Sequence, residues 1–156
     1  MFYSHLLQVI VVLCKRFKVF ENCSDIIYRL ILSEMRKLEL GECGNNQSVR
    51  FEFVGVGTVT LKTEDIIYVE TDRHRNLFNT RTKIYSIYKR LDEIENVLSG
   101  MGFVRIHQSF LVNMRYIEKI SSYRLRLTNG VELSVPKARY KLVKKEYALF
   151  KEEQDL

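Results

Sequence analysis

Residues 102–120 read Gly102-Phe-Val-Arg-Ile-His-Gln-Ser-Phe-Leu-Val-Asn-Met-Arg-Tyr-Ile-Glu-Lys-Ile120. Phe103-Val104-Arg105-Ile106 opens a strand, a polar break follows at His107-Gln108-Ser109, and Ile117 to Ser121 forms another strand. The break gathers hydrogen-bonding and cationic side chains between apolar runs, where a β scaffold displays them to a partner.

Downstream, Tyr123 to Leu127 is a strand, Thr128-Asn129-Gly130 a turn, and Val131 to Val135 the returning strand. Asn-Gly between alternating strands is the strongest short-range hairpin signal. Pro136 suits a first helical turn, and the chain then reads as a terminal helix. Tyr140, Val143, Tyr147 and Phe150 share one stripe of it, and Lys137, Lys141, Lys144 and Lys145 another, which makes it a basic amphipathic helix.

Upstream, from Arg50, the texture is again short strands. Phe51–Val54 and Thr58–Leu61 flank Gly55 and Gly57 as a hairpin. Thr63-Glu64-Asp65 is a turn, Ile66–Val69 a strand, and Thr71–Asn76 a polar, basic loop. Leu77–Thr80 and Thr82–Tyr85 read as short strands. Ile84, Ile87, Tyr88, Leu91, Ile94, Val97 and Leu98 recur at three and four, predicting a helix capped by Ser86 and stopped by Gly100 and Gly102. Residues 49–152 therefore read as one mainly β domain: short antiparallel sheets, one central helix and a C-terminal helix.

The first 48 residues differ. Leu6 to Cys14 is apolar except for Gln8, far short of the ~20 residues a spanning helix needs. Lys15, Arg16 and Lys18 follow the run, the reverse of a secretory signal. Ser24 and Asp25 offer a cap to a helical pattern through Ile26, Ile27, Leu30, Ile31, Met35 and Leu38, and Gly44-Asn45-Asn46-Gln47-Ser48 reads as a linker. The β-branched series Val9, Ile10, Val11, Val12 suits a buried strand or an interface element, and such a strand with the one helix cannot enclose a core alone.

Of the chain's 156 residues, 46% are hydrophobic and 28% charged, which excludes wholesale disorder. Cys14, Cys23 and Cys43 make neither a disulfide framework nor a zinc site, so a reducing cytoplasm is expected. The formal charge is +6, and it is localised. Residues 103–145 hold 10 Lys and Arg against only Glu118 and Glu132, a net of +8.

No constellation supports catalysis or a metal. Ser109 lies near His107 but in no nucleophile elbow, His5, His74 and His107 are scattered, and no Gly-rich phosphate loop exists. Asp92, Glu93 and Glu95 read as a solvated helix face. The chain is expected to be no enzyme and to need no cofactor. Nucleic acid fits better. Arg73-His74-Arg75-Asn76, the Arg105–Arg115 segment and the cluster Lys137, Arg139, Lys141 carry donors suited to phosphates and base edges. The bland reading is a solvated basic surface, which usually binds nothing specific. RNA is the nearer rival, but no stacking signature is present.

The 102–120 stretch resembles the signature of LytTR-type DNA-binding domains: Phe-x-Arg-x-His-x-Ser, an aromatic, two aliphatics, Asn, and Ile four residues on. Glu64-Asp-Ile-Ile-Tyr-Val-Glu70 resembles that family's Asp-Ile-x-aromatic-aliphatic-Glu strand, and Leu127-Thr-Asn-Gly-Val-Glu-Leu-Ser-Val135 its hairpin. The likeness runs in order from about Arg50 to Phe150. It implies a bacterial transcriptional regulator, often a response-regulator output domain, whose elongated β fold inserts loops into successive major grooves. Carried over, His107 and Gln108 match the groove-facing pair, and His74, Arg75 and Asn76 lie in a second contact loop. The third, a Ser-Arg-Arg-type run, is here Pro136-Lys137-Ala138-Arg139, so Lys137 and Arg139 must replace a lost hydroxyl and a lost arginine.

Arg105, Ser109 and Lys141 complete the expected DNA-binding set. Arg105 reads as phosphate-facing or solvated, Ser109 as a phosphate contact or a cap, and Asn113 as a turn-former more than a contact. Duplex DNA is the expected partner, with a homodimer on paired half-sites. Residues 1–48 are too few for the family's usual receiver domain and are expected to be a receiver remnant or a dimerisation element. The competing reading is an interaction module whose N-terminal amphipathic helix and C-terminal basic helix dock a protein or membrane surface. The short apolar run makes the membrane version the weaker.

Overall fold

The computed structural model describes residues 47–155. The expected N-terminal strand and helix lie outside the described residues. The described part belongs to the second of two units into which the chain divides, beginning at Asn45.

Among the described residues the fold is mainly β, with three antiparallel sheets and two helices. A two-stranded sheet pairs β1 (Ser48–Phe53) with β2 (Gly57–Lys62). A five-stranded sheet contains β3 (Ile66–Asp72), β4 (Arg75–Thr80), β5 (Ile84–Ile87), β6 (Phe103–His107) and β7 (Phe110–Asn113), ordered β5-β4-β3-β7-β6. A three-stranded sheet holds β8 (Ile117–Ser121), β9 (Arg124–Leu127) and β10 (Glu132–Ser134). Helix α1 (Leu91–Val97) precedes β6, and α2 (Lys137–Gln154) closes the domain.

The five-stranded sheet separates two cores, because successive strand side chains point to opposite faces. Leu111 joins one core with Val69, Phe78 and the β1–β2 hairpin, while its neighbour Val112 joins the other with Val104, Leu125, Leu127 and Val143. That double burial is why 110–112 is apolar without alternation, and why periodicity did not mark 110–113 as a strand. The first core stacks aromatics: Phe51 and Phe53 lie 5.0 and 5.3 Å from Phe78, and Tyr85 lies 4.7 Å from Phe53. Phe78 is fully buried, so truncating it to Ala costs about 3–5 kcal/mol. In the second core, Val143 of α2 is fully buried, and Tyr147 donates from its hydroxyl to the Ile117 carbonyl at 3.0 Å.

Two expectations need correction. The helix predicted from Ser86 begins only at Leu91. Ile84–Ile87 is instead β5, which pairs with β4 and alternates so that Tyr85 and Ile87 are buried. Its apolar spacing happened to continue the helical phase of Leu91, Ile94 and Leu98, and the partner strand decided between the two. The basic loop 71–76 is also mostly strand. Thr71 pairs with Asn76 and Asp72 with Arg75, leaving Arg73 and His74 as a two-residue turn, with Arg73 at φ 53°. The strands outlast the core there, so their ends are polar.

Buried Asn113 knots the centre. Its amide nitrogen donates to the carbonyls of Thr63 (3.1 Å) and Ile66 (2.8 Å), and its amide oxygen accepts from the Arg115 N–H (3.2 Å). This is the turn-forming role rather than a contact. No helix among the described residues is long and apolar enough to cross a membrane.

Candidate nucleic-acid interface

Antiparallel pairing brings the strand ends together. Glu70 near the end of β3 faces Phe110 at the start of β7, and the Thr71 N–H donates to the Ser109 carbonyl at 2.9 Å. The Arg73-His74 turn and the His107-Gln108-Ser109 turn therefore share one end of the five-stranded sheet. Helix α2 reaches the same end: Arg139 donates from Nη1 to the Arg105 carbonyl at 3.1 Å, while Phe150, near the other end of α2, sits against Gly102. Lys137, Arg139 and Lys141 thus start the helix on the side of the β6–β7 turn.

Within that turn Gln108 is exposed, and His107 and Ser109 are half-buried. The Ser109 N–H donates to His107 Nδ1 at 3.1 Å. In the neutral ring this leaves the proton on Nε2, as a donor. At the β3–β4 turn, Arg73, His74 and Arg75 are exposed, and Arg75 lies over the Tyr88 ring at 5.3 Å.

Two of the expected contacts have other tasks. Asn76 is buried, accepts from the Thr71 hydroxyl (2.6 Å) and donates to the Lys89 carbonyl (2.6 Å). Its amide is spent inside the domain and cannot read a base. The Arg105 side chain is only 10% exposed, neither phosphate-facing nor solvated. Its guanidinium donates to Asp92 and Glu95 of α1 and to the carbonyls of His107 and Gln108. Accordingly Asp92 and Glu95 are not merely a solvated face.

The sequence reading also missed a group. The end of β5 lies beside the start of β4, so exposed Tyr88 and Lys89 flank the Arg73-His74 turn. Treating 84–87 as a strand, with Tyr88-Lys89 just past its end, would have found them. None of Arg73, Arg75, Lys89, Lys137, Arg139 and Lys141 forms an ion pair with a carboxylate among the described residues. In contrast, Arg81, at the other end of β4, is held by Asp65 (2.5 Å), and Arg126 by Glu118 (3.1 Å). Six cations without a carboxylate partner among the described residues thus gather at one end of the sheet, beside Arg105, which Asp92 and Glu95 hold there. No cluster of metal-ligating side chains occurs among the described residues.

Residues 57–148, more than half of the chain, match the profile of LytTR, the LytTr DNA-binding domain. The chain belongs to the LytTR family. Two relatives show the same region. The sensory transduction protein LytT of Bacillus subtilis (strain 168) is 37% identical over 98 residues, covering 59% of this chain and 40% of that protein. The transcriptional regulatory protein LytR of Staphylococcus aureus (strain N315) is 30% identical over 80 residues, covering 48% and 32%. The match thus spans less than half of either relative. A solved LytTr DNA-binding domain of a response regulator from Bacillus cereus shares the fold, with a TM-score of 0.56 and 22% identity, covering 66% of this chain and 97% of that one. In this LytTR domain the Phe-x-Arg-x-His-x-Ser segment holds one of two polar turns that are neighbours at the end of the five-stranded sheet.

Proposed function

We infer that residues 49–152 bind duplex DNA sequence-specifically and regulate transcription from it, in the cytoplasm of a bacterium. The observation that carries this reading is the meeting of the Arg73-His74 and His107–Ser109 turns at one sheet end, joined by the Thr71–Ser109 bond and flanked by cations that no carboxylate of the described residues neutralises. In the proposed complex these turns enter major grooves. Gln108 offers the amide pair that suits adenine, and His107 and His74 offer ring donors or acceptors to base edges. Arg75, Lys137, Arg139 and Lys141 hold phosphate, and the Ser109 hydroxyl adds a neutral contact. Asn76 and Arg105 support the turns and leave the contact set. Two copies on half-sites about 10–10.5 bp apart would form a dimer on DNA.

The test is selection of bound fragments from a random duplex library, followed by Gln108→Ala. The substitution is expected to cost about 1–3 kcal/mol on the selected site and little on random DNA. Equal losses on both would remove Gln108 as a reader, and failure to enrich any sequence would overturn the function. The spacing of enriched repeats, and the mass of the complex formed on them, tests the dimer.

A further inference from the structure

The Arg105 guanidinium is the junction of three elements. Nη1 donates to Asp92 Oδ1 at 3.1 Å and to Glu95 Oε2 at 3.0 Å, both on α1. Nε donates to the His107 carbonyl at 2.7 Å, and Nη2 to the Gln108 carbonyl at 2.5 Å. The residue's own carbonyl accepts from Arg139 of α2. With Glu95 only 19% exposed in its side chain, the Arg105–Glu95 pair is shielded from water, while Asp92 holds the guanidinium from the solvent side.

The backbone explains why such an anchor is needed. Pairing between β6 and β7 shifts register between Arg105 and His107, so the ladder is interrupted where the turn begins. A bulge of this kind re-aims the side chains beyond it but leaves local groups without ladder partners. A planar fork that captures two successive carbonyls fixes both peptide planes, and with them the direction in which Gln108 leaves the backbone. A lysine, a point charge on a flexible stem, cannot hold two carbonyls and two carboxylates in one geometry.

We propose that Arg105 is a positioning residue: anchored by Asp92 and Glu95, it presets the His107-Gln108 turn and so sets base discrimination without touching DNA. This rests on the reading that the turn meets DNA. It gives the acidic residues of α1, which by charge alone oppose a polyanion, a part in specificity. A preformed turn pays its ordering cost on folding rather than on binding, and only contacts that need exact geometry gain from that. Phosphate contacts, which tolerate movement, do not.

The experiment uses the full chain with Arg105→Lys and, separately, Glu95→Gln. Each is measured on the duplex enriched by the parent from a random library and on a scrambled duplex, across a salt series, together with thermal melting. For Arg105→Lys the ratio of the two affinities should fall about tenfold, the scale of one charged hydrogen bond, with scrambled-site affinity and salt slope unchanged. Glu95→Gln, which keeps an acceptor, should lower the ratio about threefold. A slope reduced by about 0.9 would make Arg105 a phosphate contact and overturn the proposal. So would an unchanged ratio, or parallel loss on both duplexes with a lowered melting temperature. Should Arg105→Lys not fold, the ratio for Glu95→Gln decides alone. A parent that enriches nothing refutes the DNA reading itself, whereas a parent that enriches a site while both variants keep its discrimination refutes only the role of Arg105.

Discussion

Lys137→Ala offers a quantitative test of the interface through salt. Six exposed cations (Arg73, Arg75, Lys89, Lys137, Arg139 and Lys141) gather around the two turns and the start of α2, and none is neutralised by a carboxylate of the described residues. Each cation that meets a phosphate releases condensed counterion, so six imply a slope of log affinity against log salt of about −5.4 per protomer. Raising salt from about 50 to about 200 mM should then weaken binding roughly 1,800-fold. With Lys137 removed the slope falls to about −4.5 and the loss to roughly 500-fold. Fluorescence anisotropy on a labelled random-sequence duplex measures both, since phosphate contacts carry no sequence information. Arg81→Ala and Arg126→Ala are the controls. Their charges are committed to Asp65 and Glu118, so the slope should not move. A parent slope shallower than about −2, or a control that shifts it as much as Lys137 does, would refute the convergence of cations as the source of affinity.

Three further outcomes concern the scaffold. Asn113→Ala removes the donor to the Ile66 carbonyl, the second donor to the Thr63 carbonyl and the acceptor of the Arg115 N–H, and should cost roughly 2–4 kcal/mol in urea unfolding. A loss below about 1 kcal/mol would mean those groups find other partners. Gly102 has φ +84°, and an added Cβ would meet Phe150 Cε2 at 3.1 Å. Gly102→Ala should therefore cost about 1–2 kcal/mol, relieved in part by pairing it with Phe150→Leu; equal losses with and without that partner change would show the ring is not the obstacle. The Tyr116 hydroxyl donates to the Glu64 carbonyl, and burial pushes its pKa up. A raised folded-state pKa keeps its stabilisation intact below about 10, the unfolded value, and loses it as pH climbs through the folded one. Tyr116→Phe should flatten the alkaline fall in stability, with half-buried Tyr68, also shifted upward, supplying the remainder. Superimposable alkaline profiles would contradict this.

Much of the domain is written locally. The Asn129-Gly130 turn, the glycines between β1 and β2, and the Tyr140-Val143-Tyr147-Phe150 stripe of α2 each follow from short-range geometry, and each is present where the residues place it. The ordered Asp-Ile-x-aromatic-aliphatic-Glu, Phe-x-Arg-x-His-x-Ser and Asn-Gly segments were enough to reach the LytTR family, and the charge of residues 103–145 marked its basic half. What a side chain faces across space was not written there. Alternation tells which residues share a side of a strand, but not what stands opposite. Asn76 found the Lys89 carbonyl and Arg105 found Asp92 and Glu95, partners 10 to 13 residues away whose approach depends on β5 being a strand and on α1 starting late. Only the folded sheet brings the Arg73-His74 and His107–Ser109 turns side by side. That adjacency comes from pairing between β3 and β7, strands distant in the chain, whose register is set by burial on both faces rather than by any local propensity.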